Sequence, residues 1–539
     1  MGNIGTLIKL LLFVILVGCV GCQEQPSDVK VFKYNQTDHI TSLDPAFAKS
    51  QNNIWAVNHI FEGLLKLDDE LNIVPSLARS YEISDNGLRY TFTLQSGVYF
   101  HKSPCFANPD STRAVTAYDV AYSLGRLLDS NISSPGSWLF ADKVADASAF
   151  MAVNDSVFVI ELSKPFVPTL GILTMQYCSV VPREAVDYYG SSWAQHPVGT
   201  GPYQFRRWVE NQALYLIRNK SYHTAMPSDI DGIKTTFIPD RKIAFLELMN
   251  GNLDFVSGLE SSFAPMLLSR SGELKPEHSS SIQFQKAPYL NTEYLGINIT
   301  ATEADSPLRH KAFRQALNYG IDRKLMLTAL RNGVGKSATA GFIPAGLPSH
   351  DPAVVQGYSY DKQRAIELIK SSGYEDINSV PQIQLYTNKD YLDLTTYIAK
   401  QWEELGLDIS LEVMESGMLR QSMRSAELPL FRASWIADYP DGESFLCMFY
   451  SKYPAPPNYT RYKNPAFDQL YEKAIVTTDA AEKISIYQQM DRLLVEDAPV
   501  IFLFYDETAL FSSTSIKGVS SNAVNLLKVD SLTKSPSAR

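Results

Sequence analysis

The chain has few cysteines for its length. Only five of its 539 residues are cysteine, and two of them, Cys19 and Cys22, stand beside an apolar leader. The other three are Cys105, Cys178 and Cys447, so at least one thiol is unpaired and a disulfide scaffold is excluded. We expect isolated thiols that pack as small apolar residues, and a Cys105–Cys178 bond is the alternative to test first.

Motifs of the common enzyme classes are also missing. The eight histidines include no H-E-x-x-H zinc motif, and no G-x-S-x-G nucleophile turn occurs. The run "GVGKSATAG" at 333–341 predicts a loop between a helix and a strand, because Leu330 stands where a phosphate loop has its first glycine. His59 and Glu62 form one i, i+3 pair, which is usually ordinary surface or core. We therefore predict no enzyme activity, no metal centre and no cofactor.

Charge of one sign is nowhere concentrated. The net charge of −10 is spread along the chain, and a cluster of cations suited to phosphate backbones is missing. Nucleic acid is therefore not an expected partner. Hydrophobic residues make up 45% of the chain, and beyond the leader no second long apolar run or repeat occurs. This composition is typical of a globular protein, and the length is too great for one hydrophobic core.

The leader is a short apolar segment at the N-terminus. Residues 10–21 carry no charge, but they are too few for a membrane span, which needs about 20. Their length fits the apolar core of a secretory signal peptide. The run "LVGC" that ends at Cys19 resembles the lipobox of bacterial lipoproteins, so we expect a lipid on Cys19, a signal peptide at 1–18 and a tether at 19–28. The alternatives are lipidation of Cys22, a zinc site, and N-myristoylation of the start "MGNIGT".

Strand-like and helix-like segments alternate along the body of the chain, which predicts an α/β fold. "RYTFTLQSGVYF" (Arg89–Phe100) alternates as a half-exposed strand pair would, and Thr116–Asp129 predicts a helix capped by its first residue. Asp305–Gly333 predicts two helices with a break at Tyr319–Asp322. Ala480–Pro499 predicts an amphipathic helix that runs into a strand.

Six segments carry a family resemblance that runs nearly end to end. They are "FEGLLKLDDELNIVPSLARSYEISDNGLRYTFTLQSGVYFH", "VTAYDVAYSLGRL", "HPVGTGPYQFRRWVENQALYLIRNKSYH", "LRHKAFRQALNYGIDRKLM", "ASWIADYPDGESFLCMFY" and "NPAFDQLYEKA". In this order they resemble the extracytoplasmic solute-binding proteins of the peptide/nickel/opine group, which serve ABC importers and include oligopeptide- and dipeptide-binding proteins. The stretch 102–114 departs from the family, because it is longer than the usual turn there, and it leaves the shape of the nearby cleft edge open.

The resemblance implies the large, type II-like periplasmic-binding-protein fold, with two α/β lobes that close on a ligand by hinge motion. The chain would cross between the lobes near Gln285–Leu295 and return near Val500–Leu510. The glycines of "VGTGPY" at 198–203 are expected in a turn beside the hinge. The implied boundaries are 29–62, 197–287 and 501–539 for the first lobe, 63–196 for a subdomain inserted in it, and 288–500 for the second lobe.

The same resemblance places ligand recognition in "LFRASWIADYPDGESF" at 430–445. The strand-like run Phe431–Ile436 would bind a peptide backbone as an added strand. Asp438 matches the family aspartate that pairs with the peptide's α-ammonium group, and a carboxylate in a closed cleft favours a ligand that brings a cation. From residue types alone, Asp438 could equally cap the turn D-Y-P-D-G.

Further ligand residues follow from their places beside this aspartate. Trp435 would line a pocket or belong to the core, and Arg432 would meet either a ligand carboxylate or an internal acid. Tyr439 and Asp441 are weaker candidates, and Asn52 lies in "SLDPAFAKSQNN" (Ser42–Asn53), where the first lobe would approach the ligand. The predicted ligand-binding residues are Asp438, Trp435, Arg432, Ser434, Ile436, Tyr439 and Asn52.

The function that this implies is a monomeric, lipid-anchored receptor of the bacterial cell envelope that captures peptides outside the cytoplasm and delivers them to an ABC permease. Receptors of this fold also bind nickel chelates, haem, glutathione, opines, cell-wall peptides or oligosaccharides. A metal-chelate receptor would show arginine and histidine in place of Asp438. A peptide-sensing signalling receptor and a hydrolase on this scaffold are the alternatives from other classes.

Overall fold

The structure is a computed structural model that describes residues 29–259 and 263–535. The leader and both cysteines beside it, Cys19 and Cys22, lie outside the described residues. Within the described residues, no helix has both the length and the apolar character that a membrane crossing requires.

The strands of the described chain range from two to sixteen residues. They are β1 (Val31–Gln36), β2 (Leu65–Leu67), β3 (Ile73–Pro75), β4 (Ala78–Ile83), β5 (Arg89–Leu94), β6 (Phe150–Asn154), β7 (Val157–Glu161), β8 (Tyr203–Val209), β9 (Ala213–Arg218), β10 (Gly232–Phe237), β11 (Phe255–Ser257), β12 (Ile282–Ile297), β13 (Lys336–Ser337), β14 (Ile383–Asn388), β15 (Ile409–Met414), β16 (Leu430–Ile436), β17 (Val500–Ser513), β18 (Ile516–Lys517), β19 (Ser520–Ser521), β20 (Leu527–Lys528) and β21 (Thr533–Lys534).

The α-helices lie between and after these strands. They are α1 (Gln51–Ile60), α2 (Ala117–Leu128), α3 (Thr169–Ile172), α4 (Arg183–Tyr189), α5 (Arg241–Met249), α6 (Ala264–Leu267), α7 (Lys311–Tyr319), α8 (Arg323–Arg331), α9 (Lys362–Ser371), α10 (Leu392–Glu403), α11 (Ser416–Arg424), α12 (Glu443–Leu446), α13 (Pro465–Ala474) and α14 (Ala480–Asp497).

One large sheet runs through the molecule in the order β15-β14-β16-β12-β17-β11-β1-β10-β9-β8, with β13 paired to β17. At its centre, the long antiparallel strands β12 and β17 pair from Ile282 opposite Ser513 to Gly296 opposite Val500. The stretches predicted to cross between the lobes, 285–295 and 500–510, lie in these two strands. The mixed sheet with helices confirms the predicted α/β fold class.

Buried apolar side chains form several clusters instead of one core. The largest takes its members mainly from 32–255 and 510–532, and two others lie within 290–505. A smaller cluster joins 244–282 to the end of β17. Tyr439 packs into the largest cluster, although its neighbours in sequence belong to the clusters within 290–505. The two groups of clusters are therefore in contact at Tyr439. This confirms that the chain is too long for a single core.

The helices predicted from the sequence are confirmed. Helix α2 begins after Thr116, whose backbone N–H donates to the Asp119 carboxylate at 2.8 Å in a capping box. The predicted break at 319–322 separates α7 from α8, and Asp322 caps α8. Helix α14 is followed directly by β17, as predicted.

The strand pair predicted at Arg89–Phe100 is wrong in its second half. Only β5 (Arg89–Leu94) forms, and it pairs with β4 and β7 instead of with the residues after Gly97. Gly97 has a φ of +77°, so the chain turns there, and Tyr99 makes a single bridge to Ala114. The alternation of polar and apolar residues correctly predicted which side chains of β5 are buried, but it could not predict which strands pair with β5.

A separate four-stranded sheet, β4-β5-β7-β6, lies within the segment 63–196. The unusual stretch 102–114 packs against this part of the molecule. The guanidinium of Arg113 lies 5.1 Å from the centre of the Phe100 ring and donates to Asp119 and Glu184 at 2.7 and 2.6 Å. The extra length therefore builds a local ion-pair cluster.

The three cysteines of the described chain are free thiols. The Sγ of Cys178 is buried and donates to the Ile172 carbonyl oxygen at 3.4 Å. The Cys105–Cys178 bond is therefore not formed, and the expectation of isolated thiols is confirmed.

The glycines of "VGTGPY" pack closely against helix α1. A Cβ atom at Gly201 would lie 2.6 Å from the Ile60 carbonyl carbon, and one at Gly199 would overlap the Ile60 carbonyl oxygen. Neither glycine has a left-handed backbone, and residues 198–200 form no hydrogen-bonded turn. This corrects the expectation of a turn, because what these glycines allow is the close approach of two backbones.

Candidate ligand-binding cleft

Strand β16 carries most of the predicted ligand residues. It pairs antiparallel with β12 from Asn291 opposite Ile436 to Ile297 opposite Leu430. On its other side, the described pairing with β14 is confined to Phe431 opposite Tyr386. The backbone groups of 433–436 on that edge therefore have no strand partner in the described chain, and an extended ligand could use them.

Arg432 lies beneath this strand edge and is buried. Its guanidinium forms an ion pair with Glu293 of β12 and stacks on the Tyr391 ring. The neighbouring Ser434 is half-buried and stands opposite Glu293 in the strand register. The arginine thus meets an internal acid, which is one of its two predicted roles.

Three connected cavities lie around the end of β16. The first, here called the aromatic cavity, has a volume of about 570 Å³ and is lined by Trp138, Phe166, Trp435, Tyr439 and Tyr453. It shares Trp138 and Asp438 with a middle cavity of about 300 Å³.

The third, here called the polar cavity, has a volume of about 410 Å³. It shares Gln51 and Tyr289 with the middle cavity. The three cavities are therefore neighbours along one cleft, whose walls come from both the N-terminal and the C-terminal parts of the chain. No residue of the unusual stretch 102–114 lines it in the described structure.

Asp438 stands where the aromatic and middle cavities meet. The residue as a whole is exposed because both cavities reach it, although protein atoms crowd around its carboxylate. Burial raises the pKa of Asp438 to about 7, and the nearby Glu443 contributes to the rise. No cation or hydrogen-bond donor of the described residues contacts its carboxylate.

The turn after Asp438 is capped by another aspartate. Asp441 accepts a hydrogen bond from the Glu443 backbone N–H at 2.9 Å and pairs with Lys483 at 2.9 Å. Asp438 uses its backbone N–H to donate to the Ser444 hydroxyl at 3.0 Å. The capping role that residue types allowed for Asp438 therefore belongs to Asp441.

The remaining predicted residues of this segment line the same cleft. The indole N–H of Trp435 donates to the Ser444 carbonyl oxygen at 2.6 Å, which fixes the ring in the wall of the aromatic cavity. Ile436 exposes 48% of its surface and lines the middle cavity. Tyr439 is buried, and its hydroxyl donates to Glu443.

Glu443 is a cleft residue that sequence reasoning missed. It is 3% exposed, lines the aromatic cavity, and accepts hydrogen bonds from the hydroxyls of Tyr439 and Tyr471. Burial raises its pKa. Its place in the matched segment was the available signal, but its inward direction depends on the helical turn after Gly442.

Asn52 lies in the polar cavity, apart from the group around Asp438. It is the second residue of α1 and is 9% exposed. The cleft thus brings Asp438, Trp435, Ile436 and Tyr439 together, and it places Asn52 beyond Tyr289.

With this geometry in view, the family is identifiable. The family model described as bacterial extracellular solute-binding proteins, family 5 Middle, matches residues 72–457. The chain belongs to this family. This family-5 protein is therefore a solute-binding protein of a family that is described as extracellular.

Two relatives show the range of ligand names among similar proteins. A heme-binding protein A of Haemophilus influenzae is 28% identical over 448 residues, which are 80% of this chain and 78% of the relative. The glutathione-binding protein GsiB of Pectobacterium atrosepticum is 25% identical over 489 residues, 89% of each chain.

Solved structures establish the two-lobe fold. HbpA2 of Haemophilus parasuis aligns with a TM-score of 0.81 at 22% identity and covers 94% of this chain and 100% of its own. The periplasmic binding protein DppA of Helicobacter pylori, in complex with the peptide STSA, aligns with a TM-score of 0.74 at 23% identity, covering 93% and 96%. The predicted two-lobe periplasmic-binding-protein architecture is confirmed.

Proposed function

We propose that this family-5 protein binds peptides through their free amino terminus and delivers them to an ABC permease. The observation that carries the proposal is the Asp438 carboxylate, which faces the cleft without a cation from the described residues. A carboxylate that is buried when the cleft closes is costly unless it is paired, so the site favours ligands that bring an ammonium group.

The free edge of β16 supplies the second half of the recognition. Residues 433–436 can hydrogen-bond a peptide backbone laid beside them, and such bonds do not depend on the peptide's sequence. The aromatic cavity next to Asp438 would then take the first side chain. Ligands related to peptides, such as glutathione, also carry an ammonium group that could pair with Asp438 and amides that could bond to the edge of β16.

The lobes of the receptor would be 29–62 with 197–287 and 501–539, and 288–500, with 63–196 as the inserted subdomain. Tyr439 from the second lobe packs into the cluster of the first, which supports a closed arrangement around the cleft. Closure would bury the ligand and shield the ammonium–carboxylate pair from water.

Calorimetry on four combinations tests the pair. Wild type and Asp438→Asn are each titrated with one peptide and with its N-acetylated form. Losing a buried partner costs about 2–5 kcal/mol, so acetylation should weaken wild-type binding by roughly thirty- to several-thousandfold. Asp438→Asn should weaken the free-amine peptide by a similar factor and barely affect the acetylated one, because only direct partners couple strongly.

Asp441→Asn is the matched control, because the carboxylate of Asp441 is already satisfied by Lys483. It should leave the acetylation effect intact. Additive losses for Asp438→Asn and acetylation would remove Asp438 from the site. Tight binding of the acetylated peptide by wild type would point to a different solute, which native mass spectrometry of the purified protein would identify.

The attachment to the membrane is a separate part of the proposal. A lipid on Cys19 would hold a monomeric receptor at the cell envelope beside its permease, with 19–28 as the tether. Cys19→Ser should abolish labelling by palmitate and release the protein into the soluble fraction. Labelling that survives in Cys19→Ser and is lost in Cys22→Ser would move the anchor to Cys22.

A further inference from the structure

The polar cavity lies where two parallel strands of the large sheet end. Strands β1 and β11 pair in parallel at Tyr34 opposite Phe255, and their last residues, Gln36 and Ser257, both line this cavity. Crevices at the carboxyl ends of parallel strands are the usual ligand sites of open α/β sheets, because side chains and loops converge there.

Two buried amides at this cavity have no partner in the described chain. Gln36 is 6% exposed, and neither its side-chain nitrogen nor its oxygen has a hydrogen-bond partner. Asn52 is 9% exposed, lines the same cavity, and its side chain makes no hydrogen bond to a described residue. An unpaired buried amide costs free energy, and a ligand that pairs with it recovers that cost.

Three charged groups around the polar cavity, Arg331, Asp506 and Glu507, already have partners. Arg331 is paired with Asp506, and Glu507 accepts the Gly335 backbone N–H at 2.9 Å. Arg241 donates to the Ser257 carbonyl oxygen at 3.1 Å. Asp38, an exposed residue, also belongs to the wall. The buried groups without a partner at this end are thus neutral amides, whereas Asp38 and Arg241 are exposed to solvent.

We propose that the polar cavity is a second recognition site for an uncharged peptide group of the ligand, with Gln36 and Asn52 as its specificity-determining residues. Each side-chain amide offers one acceptor and two donor hydrogens, which match the C=O and N–H of a peptide unit. The inference rests on the proposed function and adds to it a length requirement. Tyr289 stands between this cavity and the middle cavity, and an extended dipeptide spans at most about 7 Å. A ligand that pairs with Asp438 and also reaches this cavity has to pass Tyr289, so we expect an oligopeptide longer than a dipeptide, without recognition of its terminal carboxylate in this cavity.

The test compares peptides of two lengths in matched variants. Di-alanine and penta-alanine, both with free amino termini, are titrated into wild type, Gln36→Met and Asn52→Leu, which keep side-chain size and remove the amide. Each substitution should weaken penta-alanine by roughly five- to a hundredfold and leave di-alanine unchanged. Gln285→Met, at an exposed glutamine of β12 that lines none of the three cavities, is the control and should change neither affinity.

Amidation of the C-terminus of penta-alanine should leave its affinity unchanged, because the proposed partners in the polar cavity are neutral amides and Arg241, an exposed cation of its wall, holds the Ser257 carbonyl oxygen instead of facing a carboxylate. Equal losses for both peptide lengths would show that Gln36 and Asn52 act on the fold, and no loss for either would remove them from the site. A large loss on amidation would replace the neutral site with an ionic one. If acetylation did not weaken binding, the proposed role of Asp438 would be wrong. The role of Gln36 and Asn52 would still be decided separately, by the comparison of di-alanine with penta-alanine.

Discussion

Asp438 and Glu443 face the same aromatic cavity, and no described cation lies within ion-pair distance of either carboxylate. Lys143 lines the cavity too, but its ammonium group is held by Asp142 at 2.7 Å. The pKa of each acid is raised, chiefly because protein replaces water around its carboxylate. The cleft is therefore electrostatically incomplete without a cationic ligand, and this predicts measurable costs in the free protein.

Asp438 should lower the stability of the free protein at neutral and higher pH. Its pKa is raised to about 7, so the folded state prefers the protonated form and loses stability as pH rises from about 4 to about 7. Asp438→Asn removes the charge. Its melting temperature should exceed that of wild type by a margin that grows over this range and levels off above it, as thermal melts between pH 4 and 8.5 would show.

Asp441→Asn should have the opposite effect and serves as the matched control. This substitution removes the negative charge that pairs with Lys483, while the asparagine oxygen can still accept the Glu443 backbone N–H, so the melting temperature should fall. If the melting temperature of Asp438→Asn exceeded that of wild type by the same amount at every pH, ionisation of the Asp438 carboxylate would not be the cause of the lower stability. A loss at all pH values would mean that it has a structural partner.

The sequence predicted the elements of the fold better than their assembly. Local rules were sufficient where one segment determines its own structure, as at the Thr116 cap of α2 and the break before α8. They failed at Arg89–Phe100, because the partners of β5 come from 78–83 and 157–161. Which distant strands pair with each other cannot be predicted from the sequence of either strand alone.

The candidate site divides in the same way. Asp438 was predictable because the segment around it matches a family pattern. The aromatic cavity was not, because its walls combine Trp138 with Trp435, which are far apart in the chain. Gln36 carried no local signal at all, since its significance is that its amide has no partner once the chain has folded.

Arg432 and Glu293 should stabilise the fold as a pair. Both are almost fully buried, and removing one partner of a buried ion pair typically costs about 3–5 kcal/mol. Arg432→Met and Glu293→Gln should each shift urea unfolding to lower concentrations, and the double variant should lose less than the sum of the two. If Arg432→Met unfolded like wild type but failed to bind peptide, the arginine would be a ligand residue instead.

Gly199 and Gly125 should respond in opposite directions to the same change. An alanine at Gly199 would overlap the Ile60 carbonyl oxygen, and overpacking of this kind typically costs about 1–3 kcal/mol. Gly125 lies inside α2, where the nearest atom to an added Cβ is 3.9 Å away, so alanine there should gain about 0.5–1 kcal/mol. Melting temperatures of the two variants would check both signs. A stable Gly199→Ala protein would contradict the close packing against α1.

Peptide binding should move protons, and the direction should reverse with pH. Near pH 6 the free protein holds a proton on Asp438, whose pKa is about 7, while the peptide amine is already charged. Forming the ion pair there must release close to one proton. Near pH 9 the carboxylate is ionised, but the α-amine, with a pKa of about 8, is mostly neutral, so binding must take up a proton. Affinity should therefore be highest between these two pH values.

Calorimetry in buffers of different ionisation enthalpy measures this release and uptake of protons directly. Asp438→Asn should lose the release at pH 6, and release that persists in this variant would assign the proton to another group, with Glu443 as the first to examine.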